Sequence, residues 1–172
     1  MDNDNEIAGD PMMVPHLLPP PAGQPATIAD FAALVRKTAA DRARWEPLVR
    51  YDAVLRWYHR LATGPGHEVW LLSWVPGQGS GRHDHGASCA VYTVLRGALT
   101  ERSGGRARTL APGTLRYCAP GGVHDVVNDG LEPAVSLHVY FPGLTEMRMH
   151  EATEAAGRPE RDTPVAGAPL AC

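Results

Sequence analysis

His83-Asp84-His85-Gly86-Ala87-Ser88, with Gly77 ahead of it and Gly97 behind, is the stretch of this chain whose reading decides the fold. Successive side chains on a β-strand alternate faces, so imidazoles at i and i+2 point the same way. Two nitrogens then aim at one point, and a third from a neighbouring strand completes a facial set. His124 is the third histidine, and it lies in a second glycine-marked stretch with Gly113, Pro120, Gly121 and Asn128. A lone His-x-His is a weak signal. Both stretches in this order, about a hairpin apart, make a strong one.

The two stretches resemble the signature motifs of the cupin superfamily, small β-barrels that bind one metal. The resemblance implies a mainly β fold, a double-stranded β-helix or jelly-roll barrel, and the surrounding texture agrees. Val69-Trp70-Leu71-Leu72-Ser73-Trp74 reads as a buried strand ended by Pro76-Gly77. Further strands are expected at 88–96, 98–102, 106–110, 114–118, 123–128 and 134–141, with a corner at Leu95 to Leu99 and a tight turn at Arg102 to Arg106. Short strands at this spacing indicate a barrel or sandwich. Ahead of them, Thr27 or Asp30 can cap a helix through Ala32, Leu34, Val35 and Ala39. Helical pieces are also expected over Trp45 to Arg50 and Ala53 to Trp57. The organisation is thus a Pro-rich N-terminus without fixed structure (1–25), a cupin domain with a small N-terminal helical annex (26–150) and a flexible C-terminal tail (151–172).

A chain of 172 residues suffices for one domain with one core. Trp45, Trp57, Trp70 and Trp74 point to a packed interior. With a net charge of −3 and no basic run, nucleic acid is not an expected partner. No apolar stretch has the length of a membrane span, and Met12 to Leu18 lacks the length and flanks of a signal peptide, so no membrane association and a cytoplasmic location are expected. Cys89, Cys118 and Cys172 are odd in number and form no CxxC, which fits a reducing compartment rather than a disulfide framework.

Imidazole nitrogen suits iron, zinc, copper or nickel, so residue type alone does not choose the metal. Typical cupins add a glutamate four or five residues after the second histidine; counting back from Gly97, that slot holds Ala90. Glu101 lies on the next strand and reads as a surface charge. Three neutral histidines without a carboxylate would leave a divalent ion its full double charge. That favours an anionic ligand such as a thiolate and leaves three positions for substrate and dioxygen.

From about Trp57 to Pro142 the chain resembles a bacterial cysteine dioxygenase of the thiol dioxygenase group. The matching residues are Glu68 to Trp74, Pro76-Gly77-Gln78, His83 to Ser88, Val94 to Glu101 and Glu132 to Tyr140. The resemblance implies iron(II) held by His83, His85 and His124. It implies a supporting chain of Ser136, His138 and Tyr140 and a substrate-carboxylate arginine at Arg60, two residues after Tyr58, which would add a second hydrogen bond. Alternation puts Ser136, His138 and Tyr140 on one face, where a hydroxyl–imidazole–phenol relay could run toward the metal. The implied reaction adds both atoms of O2 to the thiol of L-cysteine, giving cysteine sulfinate. The implied partners are a small thiol and O2, and the implied state is a monomer.

Relatives acting on mercaptopropionate commonly carry glutamine in place of the arginine, so Arg60 favours cysteine. Animal members carry a cysteine in the Ala90 slot, joined to the tyrosine by a thioether. Here Tyr140 is expected to be unmodified, with Cys89 directed away by strand parity. The rival readings are a dioxygenase of mercaptopropionate or another small thiol, a non-catalytic metal-binding cupin sensor, and a zinc or nickel isomerase-like cupin.

Overall fold

The computed structural model describes residues 25–151. Apart from Pro25 and Glu151, the expected N-terminal and C-terminal tails lie outside the described residues. Helix α1 (Ile28–Ala40) begins where Thr27 accepts a hydrogen bond from the Asp30 amide while the Asp30 carboxylate accepts one from the Thr27 amide, a reciprocal cap. Phe31, Val35 and Thr38, at helical spacing, form its buried face. The helical piece expected over 45–50 is instead a short α2 (Arg42–Trp45) and a 3-10 turn (Glu46–Leu48). Pro47 explains the break, since it brings no amide hydrogen to continue an α ladder.

No helix forms at 53–57. The Asp52 carboxylate accepts hydrogen bonds from the Val54 and Leu55 amides at 2.7 and 2.9 Å, as at a helix N-cap, but no helical ladder follows. The chain then enters β1 (Tyr58–Gly64), a strand absent from the sequence expectation. The others are β2 (His67–Trp74), β3 (His83–Asp84), β4 (Cys89–Arg96), β5 (Leu99–Ser103), β6 (Arg106–Leu110), β7 (Leu115–Cys118), β8 (His124–Val127), β9 (Ala134–Phe141) and β10 (Arg148–Met149). Each strand expected from the sequence appears within two residues of its bounds.

Two antiparallel five-stranded sheets result, ordered β1-β2-β9-β4-β7 and β10-β3-β8-β5-β6. Residues from both, among them Leu72, Trp74, Tyr92, Leu99, Leu110 and Val126, pack into one core between them. The first sheet is buried on its other face too, because α1 lies against it through Phe31 and Val35 on Val69, Val91, Leu137 and Val139. Hence β2 and β9 read as almost continuous apolar runs. In β9, Val135, Leu137 and Val139 pack on the outer side, while Ser136, His138 and Tyr140 share the inner face. At the β4–β5 corner Gly97 has φ +71°, and a Cβ there would come within 2.7 Å of the Pro133 carbonyl oxygen, so only glycine fits without a shift.

Phe31 is 2% exposed and stacks on Phe141 with ring centroids 3.9 Å apart. Phe31→Ala is expected to lower unfolding stability by about 3–5 kcal/mol in denaturant titration. A loss below about 1 kcal/mol would mean that α1 is not part of the core.

Candidate metal centre

The site draws on β3, on β8 and on the turn that follows β3. His83 of β3 pairs directly with His124 of β8 across the second sheet. His85 follows one residue beyond β3, where Gly86 at φ +57° turns the chain. The three rings lie 4.6 to 5.1 Å apart between centroids, and one nitrogen from each falls within 4.8 Å of the others. The Nε2 atoms of His83 and His85 are 3.1 Å apart. Among the described residues this is the one group of three His, Cys, Asp or Glu side chains placed to hold a metal ion.

Electrostatics favour bare lone pairs here. Burial, with His124 close by, depresses the His83 pKa to about 4. Burial, reinforced by His83 and His124, depresses that of His85 to about 3. Nδ1 of His83 meets the Gly81 carbonyl at 2.9 Å, which assigns the proton to Nδ1 and the lone pair to Nε2. His124 Nε2 is buried with no hydrogen-bond partner. Converging imidazole nitrogens, one of them orphaned, suit a cation.

Ala90, fully buried, sits in register with Tyr140 on one side and Cys118 on the other, and offers no carboxylate. Glu101, however, is not the surface charge expected from the sequence. Strand β5 turns Leu99 and Glu101 inward, and Glu101 is only 3% exposed. Its carboxylate accepts hydrogen bonds from the Tyr92 hydroxyl, from Arg116 Nε at 2.5 Å and from His124 Nδ1 at 3.3 Å. Burial alone would raise its pKa, but these hydrogen bonds prevail and bring it down to about 2. The alternation Leu99-x-Glu101 was the available signal, since it repeats the in-out period of a half-buried strand.

On the first sheet, Ser136 Oγ accepts a hydrogen bond from Trp74 Nε1 and shares one with His138 Nε2, both at 2.9 Å. The next link of the expected relay differs. His138 and Tyr140 stack nearly parallel with centroids 6.1 Å apart and share no hydrogen bond, while the Tyr140 ring lies edge-on to His85 at 5.0 Å. Burial raises the Tyr140 phenol pKa and depresses that of His138. Both are therefore neutral at ordinary pH, and the phenol is a donor, not a base. Cys89 points away from Tyr140, with Sγ 3.5 Å from the Tyr117 hydroxyl.

Arg60 is paired with a carboxylate of the protein itself. Arg60, on edge strand β1, makes an ion pair with buried Glu68 at 3.1 Å and rests over Trp70. Tyr58 is 45% exposed against Trp70. Neither lines the cavity at the histidines. Arg56 does, together with Trp74, His83, His85, His124, His138, Tyr140 and Met147, around a volume of about 20 Å³. Its guanidinium sits 4.6 Å above the Trp74 ring, and its Nε is buried without a hydrogen-bond partner. Burial lowers its pKa; the groups that oppose this are the Tyr140 and Tyr58 phenols, not a carboxylate. Six arginines crowd residues 36–60, and nothing local in the sequence singles out Arg56.

Two sheets enclosing a three-histidine cluster, with no carboxylate among the converging donors, define a cupin fold with a candidate metal site. Solved structures agree on the fold: a Klebsiella pneumoniae protein with a double-stranded β-helix domain superposes with a TM-score of 0.57 over 62% of this chain and 94% of that one, at 24% identity. A Thermus thermophilus protein gives 0.54 over 57% and 93%, at 30% identity. The family model for cysteine dioxygenase type I matches residues 22–153. Cysteine dioxygenase type 1 of Rattus norvegicus is 28% identical over 136 residues, 70% of this chain and 68% of the rat protein, and the Homo sapiens protein matches equally. This chain belongs to the cysteine dioxygenase type I family and is a thiol dioxygenase. Among the described residues no helix is long and apolar enough to cross a membrane.

The histidine pKa values carry a stability consequence. His83 and His85 titrate well below 6.5 when folded and near 6.5 when unfolded, so the unfolded chain binds more protons between pH 6.5 and about 4. The metal-free protein is therefore expected to lose thermal stability steadily as pH falls from 6.5 to about 4. A melting temperature flat across that window would contradict burial of two neutral imidazoles.

Proposed function

We propose that this protein is a cysteine dioxygenase: with ferrous iron held by His83, His85 and His124, it adds both atoms of O2 to the thiol of L-cysteine and forms cysteine sulfinate. The observation that carries the substrate reading is Arg56, a largely buried guanidinium with no acid beside it among the described residues, on the wall of the histidine cavity. A buried cation without a counter-charge is costly, and a ligand bearing a carboxylate relieves that cost with paired hydrogen bonds. We therefore assign to Arg56, rather than Arg60 or Tyr58, the grip on the substrate carboxylate.

Bound iron would supply the electron transfers that let dioxygen react with a thiolate. The protein's own groups do the positioning. Three neutral imidazoles leave the metal's charge uncancelled by any ligand, which favours a sulfur anion over a neutral thiol. Tyr140, kept protonated by burial, donates a hydrogen bond toward the reacting sulfur and oxygen atoms. His138, held by Ser136 and stacked on Tyr92 at 4.8 Å, fixes the wall behind it. Met147, an unbranched and adaptable side chain, completes the lining.

The reading is tested by oxygen uptake of the iron-loaded protein with cysteine, with product identified by mass. Uptake matched to cysteine sulfinate is expected; none would favour a metal-binding sensor. The second reading, a mercaptopropionate dioxygenase, keeps the carboxylate but lacks the amine, and a higher kcat/KM for mercaptopropionate than for cysteine would establish it.

Arg56→Ala is expected to cost about 2–4 kcal/mol in kcat/KM for cysteine, and to leave cysteamine, which lacks a carboxylate, nearly unaffected. Arg60→Ala should instead reduce stability by stripping Glu68 of an ion-pair partner, with a smaller change in kcat/KM. The opposite ranking of the two variants would return the clamp to Arg60.

A further inference from the structure

We propose that Glu101 is a positioning residue for the metal ligand His124, anchored by Tyr92 and Arg116 so that a carboxylate backs the metal site from behind one imidazole. This rests on the reading of the three histidines as metal ligands. A carboxylate at His124 Nδ1 can only accept, so Nδ1 carries the proton and the lone pair falls to Nε2. That is the buried, unpartnered atom of a ring grouped with His83 and His85. Oε1 of Glu101 serves His124 and the Tyr92 hydroxyl, and Oε2 serves Arg116 Nε, so both oxygens are held and the carboxylate cannot turn away.

The three histidines are thereby unequal. His83 is backed by a neutral carbonyl, His124 by an anion, and His85 Nδ1 is buried without a partner. An imidazole whose Nδ1–H is shared with a carboxylate is a stronger donor through Nε2. The negative charge that Ala90 withholds from the metal's own ligand set thus reaches it through His124, and no coordination position is used. Arg116, drawn to the same carboxylate, offsets part of that charge.

A purely structural role, a buried ion pair beneath the barrel floor, would affect folding alone, so the test reads metal and tautomer. Cobalt(II) affinity of the full chain is measured by chelator competition for wild type, Glu101→Gln, Arg116→Gln and Tyr92→Phe, alongside melting temperatures of the metal-free proteins. Glu101→Gln is expected to weaken cobalt binding about 10- to 100-fold. Arg116→Gln, which spares the carboxylate, should lower melting temperature while weakening cobalt less than Glu101→Gln does. Cobalt affinity of Glu101→Gln within twofold of wild type would overturn the proposal.

Should Glu101→Gln fail to fold, nitrogen-15 spectra of the metal-free wild type decide the matter: His124 is expected as the Nδ1–H tautomer at neutral pH, and the Nε2–H tautomer overturns the assignment. If wild type itself binds no cobalt, the metal reading fails; binding by wild type with an unaffected Glu101→Gln fails this inference alone.

Discussion

The cross-strand pair His83–His124 is the contact on which the site is built. Residues opposite each other in an antiparallel ladder have side chains about 5 Å apart on one face, so pairing alone brings two imidazoles together from distant parts of the chain. His85 joins because the glycine turn after it keeps the backbone near. At Gly86 a Cβ would lie 2.2 Å from the Glu146 carboxylate, and the segment after β9 closes over this turn through β10 on β3. The three histidines are therefore held by strand pairing and by the turn that follows His85.

Around that cluster the charges are sorted by position. The His83, His85 and His138 imidazoles and the Tyr140 phenol are kept neutral by burial. One guanidinium, Arg56, lies at the cavity wall without an acid, and another, Arg116, is tied to Glu101 behind His124. Arg60, beside buried Glu68, answers a different need: it neutralises a carboxylate that also accepts hydrogen bonds from Trp70 Nε1 and the Leu144 amide. A buried carboxylate in this position claims the nearest cation. An arginine on the edge of the first sheet is thereby paired within that sheet, and one from the loop before β1 lines the pocket.

Much of this was legible in the linear order of residues. The His-x-His pair, the later histidine and the glycines around them pointed to a cupin, and the alternation in β9 put Ser136, His138 and Tyr140 on one face. The failures share a cause. Arg56 and Arg60 cannot be ranked by local pattern, because which guanidinium reaches the cavity depends on the Asp52 turn and on the partner each finds. Glu101 was misread because its partners, Tyr92, Arg116 and His124, come from three other strands. At 53–57 the Asp52 carboxylate caps the Val54 and Leu55 amides but no helix follows, and β1 was missed because as an edge strand it is only half-buried.

What the chain's order of residues determined by itself was period and punctuation: which side chains share a face and where the backbone must turn, since both follow from local geometry. Only the tertiary structure decided which charges meet. Pairing between groups dozens of residues apart is set by strand register and sheet packing, and a buried charge takes whichever partner that packing delivers.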